Sequence, residues 1–447
     1  MAPIKRVLIA NRGEIALRAI RTIQEMGKEA VAVYSSADRD TAYLKVADAA
    51  ICIGAAKSSE SYLNIPAIIA AAEIADCDAV FPGYGFLSEN QHFVEICEHH
   101  KLKFIGPGAD VMVLMADKSQ AKEVMMRAGV PVIPGSEGAI KDIADAKERA
   151  KVVGYPIILK AAAGGGGRGM RVVEEEAKIE GAFLAAESEA MTAFGDGTIY
   201  MEKFIKNPRH IEVQVLGDTH GNVLHIGERD CSMQRRHQKL IEESPAIVLP
   251  PHVRLALLDS AVRAAKFIKY VGAGTFEYLL DADNNFYFME MNTRLQVEHT
   301  VSEMVSGLDL IEWMIRIAEG EALPAQESIK FKGHSIECRI TAEDPVKFLP
   351  NPGKITEWIA PGGLGVRIDT HAYAGYTVPS TYDSMIGKLI VYADTREKAI
   401  AKMHRALSEF TIKGIRTTIP FHIDMMKNPD FVNNKFDTKY LERYMKL

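Results

Sequence analysis

Two β-type runs joined by a polar turn constrain this chain more than any other stretch. Gly274 to Leu280 is rich in β-formers, Phe286 to Asn292 alternates as a strand should, and Asp281 to Asn285 supplies turn residues between them. If Asp281 pairs with Phe286 across a four-residue turn, the antiparallel register sets Glu277 opposite Glu290, with Asn292 two residues along the same face. Flanking Phe276, Tyr278, Phe286 and Phe288 argue against a solvated face. Facing carboxylates destabilise a sheet unless a proton or a cation separates them. Oxygen-only ligands suit Mg²⁺ or Mn²⁺, and a hard ion held by few carboxylates usually holds substrate phosphates as well. A phosphate-binding loop is therefore expected elsewhere in the chain.

The candidate is Gly164, Gly165, Gly166, Gly167, Arg168 and Gly169, preceded by Ile157 to Lys160 and followed by Met170 to Val173. The run formally contains GxGxxG. However, a β-type stretch follows it instead of a helix, and it has no Lys-Ser/Thr ending, so the dinucleotide and Walker A contexts both fail. What fits is a flap between two strands, whose bare N–H groups close over phosphates while Lys160 and Arg168 add positive charge. Protein kinases use a similar flap, but no HRD or DFG triplet occurs here.

Upstream, Val7 to Ala10, Glu14 to Met26 and Ala30 to Ser35 read as a βαβ unit. Its first turn, Asn11-Arg12-Gly13-Glu14, lacks the dinucleotide fingerprint, so NAD is not expected. Pro82 to Asn90 is a loop at the carboxyl end of a short strand, Ala79 to Phe81, where open α/β sheets bind ligands. At 447 residues the chain exceeds one ordinary core. The punctuation predicts an N-terminal Rossmann-like domain over 1–105, a helical linker over 106–132, a lid over 133–205 and a C-terminal domain over 206–447. A net charge of -6 offers nothing to nucleic acid, and no apolar run reaches membrane-spanning length. The five cysteines form no CxxC pair, so neither a disulfide framework nor a zinc site is expected, and a reducing cytoplasm is.

Taken in order, Ala10 to Ala16, Pro82 to Asn90, Lys118, the glycine loop, Glu228 to Lys239 and Glu290 to His299 resemble the biotin carboxylase family of ATP-grasp enzymes, over essentially the whole chain. The resemblance implies an α/β, ATP-grasp fold with an N-terminal Rossmann-like domain, a mobile lid and a C-terminal α+β domain. It assigns Lys118, Lys160, His210 and the Gly164 to Gly169 loop to ATP, with Glu202 and Lys203 near the adenine. Glu277 and Glu290, with Asn292 beside them, become the ligands of Mg²⁺ or Mn²⁺, two ions being expected. Lys239, Arg294, Gln296 and Val297 resemble the bicarbonate pocket, Glu298 the general base and Arg339 the residue that steadies the biotin enolate. Gln234, His237, Tyr84 and Asp383 are implied to line the same cleft. The resemblance also implies a homodimer. Arg18, Arg21, Glu25 and Arg367 match its contact surface, whereas Leu364 departs from it, and Ala162 and Ala163 stand where some members continue a serine-glycine run.

The expected chemistry is attack of bicarbonate on the ATP γ-phosphate, giving carboxyphosphate and then carboxybiotin, as the first half-reaction of acetyl-CoA carboxylase in fatty acid synthesis. A two-subunit pyruvate or other acyl carboxylase is the alternative. The runner-up enzyme is a different ATP-grasp ligase joining a carboxylate to an amine, and the reading from another class is a non-catalytic nucleotide-sensing module. The Met-Lys pairs, Met426-Lys427 and Met445-Lys446, cannot centre a biotin-bearing hairpin, and residues 206–447 are already committed to the site. Biotin is therefore expected on a separate carrier protein, with carboxyltransferase subunits completing the reaction.

Overall fold

A computed structural model describes residues 3–136, 138–161 and 170–445. The glycine loop, with Arg168, Ala162 and Ala163, lies outside the described residues. The chain divides into two compact units: one of Met1–Val130, Arg209–Tyr278 and Glu290–Leu447, the other of Pro131–Pro208 with Leu279–Met289.

The larger unit opens on a five-stranded parallel sheet in the order Ala49–Gly54, Glu29–Ser35, Arg6–Ile9, Ala79–Phe81 and Lys103–Phe104. Its central strands are short continuous apolar runs, as a sheet covered on both faces requires, and Val7, Leu8 and Ile9 are fully buried. Asn64 and Asn90 cap the helices Ile65–Ile74 and Gln91–His99, each side chain accepting from a backbone N–H three residues on. The order around Arg6–Ile9 is that of a doubly wound nucleotide fold, as the βαβ pattern predicted.

The rest of this unit is built on an eight-stranded sheet, of which Leu279, Leu280 and Phe286 to Met289 are grouped with the smaller unit. Its order is Phe286–Asn292, Gly272–Leu280, Arg209–Gly217, Val223–Arg235, Gln238–Ser244, His334–Thr341, Met385–Ala393 and Val366–Thr370. Helix Pro251–Phe267 packs on Arg209–Gly217 and Val223–Arg235. Helix His299–Ser306 packs on Val223–Arg235, Gln238–Ser244, His334–Thr341 and Met385–Ala393. At the C-terminal end of the sheet, Ile336, Cys338, Ile340 and Leu389 of its strands pack with Met403 and Leu407 of helix Arg396–Glu409 in one core.

In the smaller unit Ile157–Ala161 lies between Met170–Val173 and Ile199–Lys203, antiparallel to both. Ile157, Leu159, Ile199 and Met201 turn inward against Phe183, Ala186 and Ala190 of helix Ile179–Phe194, while Lys160 and Glu202 face away and pair with each other. The turn after Leu280 corrects the sequence reading. Asp281 N–H bonds Asn285 O at 2.9 Å, and Asn284 takes a left-handed φ of 63°. The loop is thus three residues closed by Asp281 and Asn285, not four closed by Asp281 and Phe286, because asparagine tolerates the left-handed position that such a loop needs, and the register that set Glu277 directly opposite Glu290 loses its premise. Among the described residues, no helix is long and apolar enough to cross a membrane.

Candidate active site

Strand alternation puts His210, Glu212 and Gln214 on one face of Arg209–Gly217, and all three are buried. Across from them Arg229, wholly buried on Val223–Arg235, spends its guanidinium on five side chains. It donates to Glu212 at 3.1 and 3.2 Å, Gln214 at 2.8 Å, Ser302 and Thr275 at 3.1 Å, and Gln296 at 2.6 Å. Gln296 in turn donates to Glu277 Oε1 at 2.7 Å, and Asn292 donates to the same oxygen at 2.8 Å.

Lys239 holds the centre. Its ammonium pairs with Glu212, with Glu277 at 2.9 Å and with Glu298 at 2.7 Å. Burial would strip its proton, but the three carboxylates outweigh burial and push the ammonium well above the usual lysine range. The same contacts hold Glu212 and Glu277 well below the ordinary carboxylate value despite burial. Glu298 is 2 % exposed. Burial works against its charge, yet Lys239 and Arg339 draw it down to about 2, so it stands ionised, the form that accepts a proton. Arg339 spans Glu298 (2.9 Å) and Glu242 (2.6 Å).

His210 Nε2 sits 3.0 Å from both Glu212 and Glu277 and is aligned for a hydrogen bond with neither. Burial lowers its proton affinity, but the two glutamates carry it to about 9. Arg294 is clamped by Glu89 at 2.9 Å and by Asn292 at 2.9 Å. Glu290 is part-exposed, with Lys118 Nζ 3.6 Å away. Glu277, Glu290 and Asn292 offer only oxygen ligands once the Asn292 amide presents its carbonyl, a donor set that fits Mg²⁺ or Mn²⁺. His210, Glu212 and Glu277 also bring ligand atoms within 4.8 Å of one another, but there the Lys239 ammonium already supplies the neutralising cation.

The structure therefore gathers Lys239, Gln296, Glu298, Arg339, Glu277, Asn292, Arg294 and His210 into one network, with Gln234 Nε2 3.4 Å from His210. Val297 joins through its carbonyl, which accepts from Lys388 at 2.7 Å. Tyr84 donates instead to the buried Glu14. His237 is exposed in the turn at φ 65°, and Asp383 is exposed and accepts from Met385 N at 3.1 Å. Lys160, Glu202 and Lys203 belong to the smaller unit, where Lys203 donates to Gly154 and Tyr155 carbonyls at 2.9 and 2.8 Å. Sequence reasoning missed Glu212, Glu242 and Glu89 and gave Arg229 no role. Their signal was alternation: each lies on a strand face, or in the Pro82 to Asn90 loop, beside residues already singled out.

Three family models match in sequence. They are the biotin carboxylase N-terminal domain over 3–112, the carbamoyl-phosphate synthase L chain ATP-binding domain over 117–326, and the biotin carboxylase C-terminal domain over 337–443. The chain is 55% identical over 442 residues to a biotin carboxylase of Haemophilus influenzae, covering 98% of each. It is 52% identical to biotin carboxylase 1 of Bacillus subtilis, covering 99% of each. A crystal structure of a biotin carboxylase β-γ-ATP complex from Campylobacter jejuni superposes with a TM-score of 0.92 at 70% identity, covering 98% of this chain and 99% of that one. The biotin carboxylase domain dimer of a Hydrogenobacter thermophilus 2-oxoglutarate carboxylase, in complex with MgADP, ADP and bicarbonate, superposes with a TM-score of 0.90 at 49% identity, covering 99% and 98%.

Proposed function

Since the chain belongs to the biotin carboxylase family, we propose that the network around Lys239 and Glu298 is where bicarbonate is activated and biotin carboxylated. The enzyme is an ATP-dependent carbon–nitrogen ligase. One observation carries the assignment of roles: Glu298 is buried and ionised, held between two cations that each have other anions to lean on.

Bicarbonate, an anion, fits among Lys239, Arg294, Gln296 and the Val297 backbone, where it would compete with Glu298 for the Lys239 ammonium. Released from that pair, the Glu298 carboxylate regains basicity and takes the bicarbonate proton as the oxygen attacks the γ-phosphorus and the bond to the β,γ-bridging oxygen breaks, giving carboxyphosphate and ADP. Glu277, Glu290 and Asn292 would hold Mg²⁺ or Mn²⁺, two ions in this reading, whose chemistry is to neutralise phosphate charge. ATP contacts are assigned to Lys118, His210, Lys160, Glu202, Lys203 and the Gly164 to Gly169 loop of the 133–205 lid. Gln234, His237, Tyr84 and Asp383 are assigned to the cleft. Breakdown of carboxyphosphate leaves CO₂ and phosphate. Phosphate then takes the ureido proton of biotin, and Arg339 steadies the enolate oxygen.

The biotin is presented by a separate carrier protein in this reading. Carboxyltransferase subunits pass the carboxyl group to acetyl-CoA for fatty acid synthesis, or to pyruvate or another acyl acceptor. In this reading the enzyme works as a cytoplasmic homodimer through the face that carries Arg21, Glu25 and Arg367, with Arg18 buried behind it against Glu303 and Asp309. ADP release from ATP that requires bicarbonate and rises with free biotin tests the reading. Steady ADP release indifferent to both would remove it, and nucleotide binding without turnover would favour a sensing module.

A further inference from the structure

Behind Arg339 lies a pair of acids that the chemistry above does not use. Strands Gln238–Ser244 and His334–Thr341 are antiparallel neighbours, and their register sets Glu242 directly opposite Glu337. Both side chains are fully buried. Residues directly opposite each other share a face with their Cβ atoms about 5 Å apart, and like charges in that position destabilise a sheet. Yet among the described residues no cation forms an ion pair with both. Glu242 Oε1 accepts from Arg339 Nε at 2.6 Å, and Glu337 Oε2 accepts from the Thr300 hydroxyl at the start of the covering helix. The second oxygen of each, Glu242 Oε2 and Glu337 Oε1, is buried with no hydrogen-bond partner among the described residues. A single proton would satisfy two orphan acceptors on facing acids, because protonating one turns an acceptor into a donor.

The surrounding charges point the same way. From the same strand comes Arg339, from Gln238–Ser244 Lys239, from Met385–Ala393 Lys388, from the loop before the helix Glu298, and from helix Gly13–Glu25 Glu14. His299 beside them is kept neutral by burial and by Lys388. Lys239 is engaged with Glu212, Glu277 and Glu298, and Lys388 with Glu14 at 3.2 Å and the Val297 carbonyl at 2.7 Å. Arg339 therefore pairs with Glu242 and shares Glu298 with Lys239, and among the described residues Glu337 has no ion pair. Burial raises Glu242 to about 7 and Glu337 to about 8, with Arg339 and Lys388 offsetting burial only in part.

We propose that Glu242 and Glu337 share a single proton, and that this pair positions Arg339 for its contact with Glu298 and the biotin enolate. With one proton, Glu242 stays anionic towards Arg339 while Glu337 is a neutral donor. Without it, a second buried charge pulls Arg339 back from Glu298. Both glutamates are positioning residues, and the inference rests on the proposed role of Arg339.

The test uses the full chain with Mg²⁺, ATP, bicarbonate and free biotin. In the wild type, infrared difference spectra across the alkaline range should show loss of a buried protonated-carboxyl band, absent from Glu337→Gln. The alkaline limb of biotin carboxylation should follow that band. In Glu337→Gln, where the neutral partner is permanent, the limb should move to higher pH. Glu242→Gln, which removes the anion gripping Arg339, should lower kcat for the biotin step roughly tenfold, with the KM for ATP changed by less than about twofold. A merely structural role would lower both partial reactions together and leave the limb in place. Superimposable alkaline limbs in wild type and Glu337→Gln, or no protonated-carboxyl band in the wild type, would overturn the proposal. A wild type whose ATP cleavage ignores biotin would instead overturn the proposed function, while the infrared band would still report on the pair.

Discussion

Replacing Arg229 by lysine keeps the charge and removes the geometry, so it isolates what the buried guanidinium contributes. Arg229 makes six hydrogen bonds to five side chains: Glu212 twice, Gln214, Ser302, Thr275 and Gln296. An ammonium has three protons on one atom and can serve Glu212 and about two of the neutral acceptors. Two neutral acceptors are then left buried without a donor, each costing about 1–3 kcal/mol, while the retained charge avoids the larger penalty of an unpaired Glu212. The expected destabilisation is about 3 kcal/mol, a Tm lower by about 3 °C in a chain of this length. The functional consequence runs through Gln296, whose Oε1 accepts from Arg229 at 2.6 Å while its Nε2 donates to Glu277 at 2.7 Å. With one end freed, the amide rotates and the bicarbonate pocket loosens. The KM for bicarbonate should rise on the order of tenfold, and the KM for ATP much less. Calorimetric melting and steady-state ATP cleavage at varied bicarbonate measure both. A Tm and a bicarbonate KM that coincide with wild type would refute the idea that fork geometry, and not charge alone, organises the network.

Three further outcomes are expected. Glu298→Gln should lose bicarbonate-dependent turnover by roughly a hundredfold or more while nucleotide binding measured by calorimetry persists, since the base acts after ATP is seated. A large loss of ATP affinity with turnover intact would reassign the residue. Glu277→Gln or Glu290→Gln should raise the Mg²⁺ or Mn²⁺ concentration needed for half-maximal activity about tenfold, each removing one ligand charge; titrations superimposing on wild type would count against the shared metal site. His210 ties stability to pH in the metal-free protein. Its folded value of about 9 exceeds the ordinary 6.5, so its ion pairs with Glu277 and Glu212 contribute fully below 6.5, and the contribution is lost as pH rises through about 9. His210→Gln should lack that slope in denaturation midpoints measured across the range, and equal slopes would show that the imidazolium contributes nothing.

What was legible in the sequence was whatever a two-residue or helical period could carry. The strands Phe286–Asn292 and His334–Thr341 fall where alternation put them, and Ile157–Ala161 and Met170–Val173 flank the glycine loop as expected. The turn at Asp281 was misjudged by one residue because Asp-Ala-Asp-Asn-Asn contains several residues able to close it, and only the backbone selects Asn284 as the left-handed one.

Glu212 was missed for a deeper reason. His210-Ile211-Glu212-Val213-Gln214-Val215 has the pattern of a strand with one face in water, and alternation alone cannot distinguish water from a charged interior. The structure shows that every residue from Arg209 to Gly217 is buried. The polar face is inward because Arg229 and Lys239, on the next two strands of the sheet, bring the cations that make burying Glu212 and Glu277 tolerable. That dependence is mutual: neither the cations nor the carboxylates could be buried alone. It spans Glu212 to Arg339 in sequence, so no local window contains it. Sheet order supplies what sequence separation hides, by placing Gly272–Leu280 and Val223–Arg235 on either side of Arg209–Gly217 and setting Glu277 and Arg229 beside Glu212.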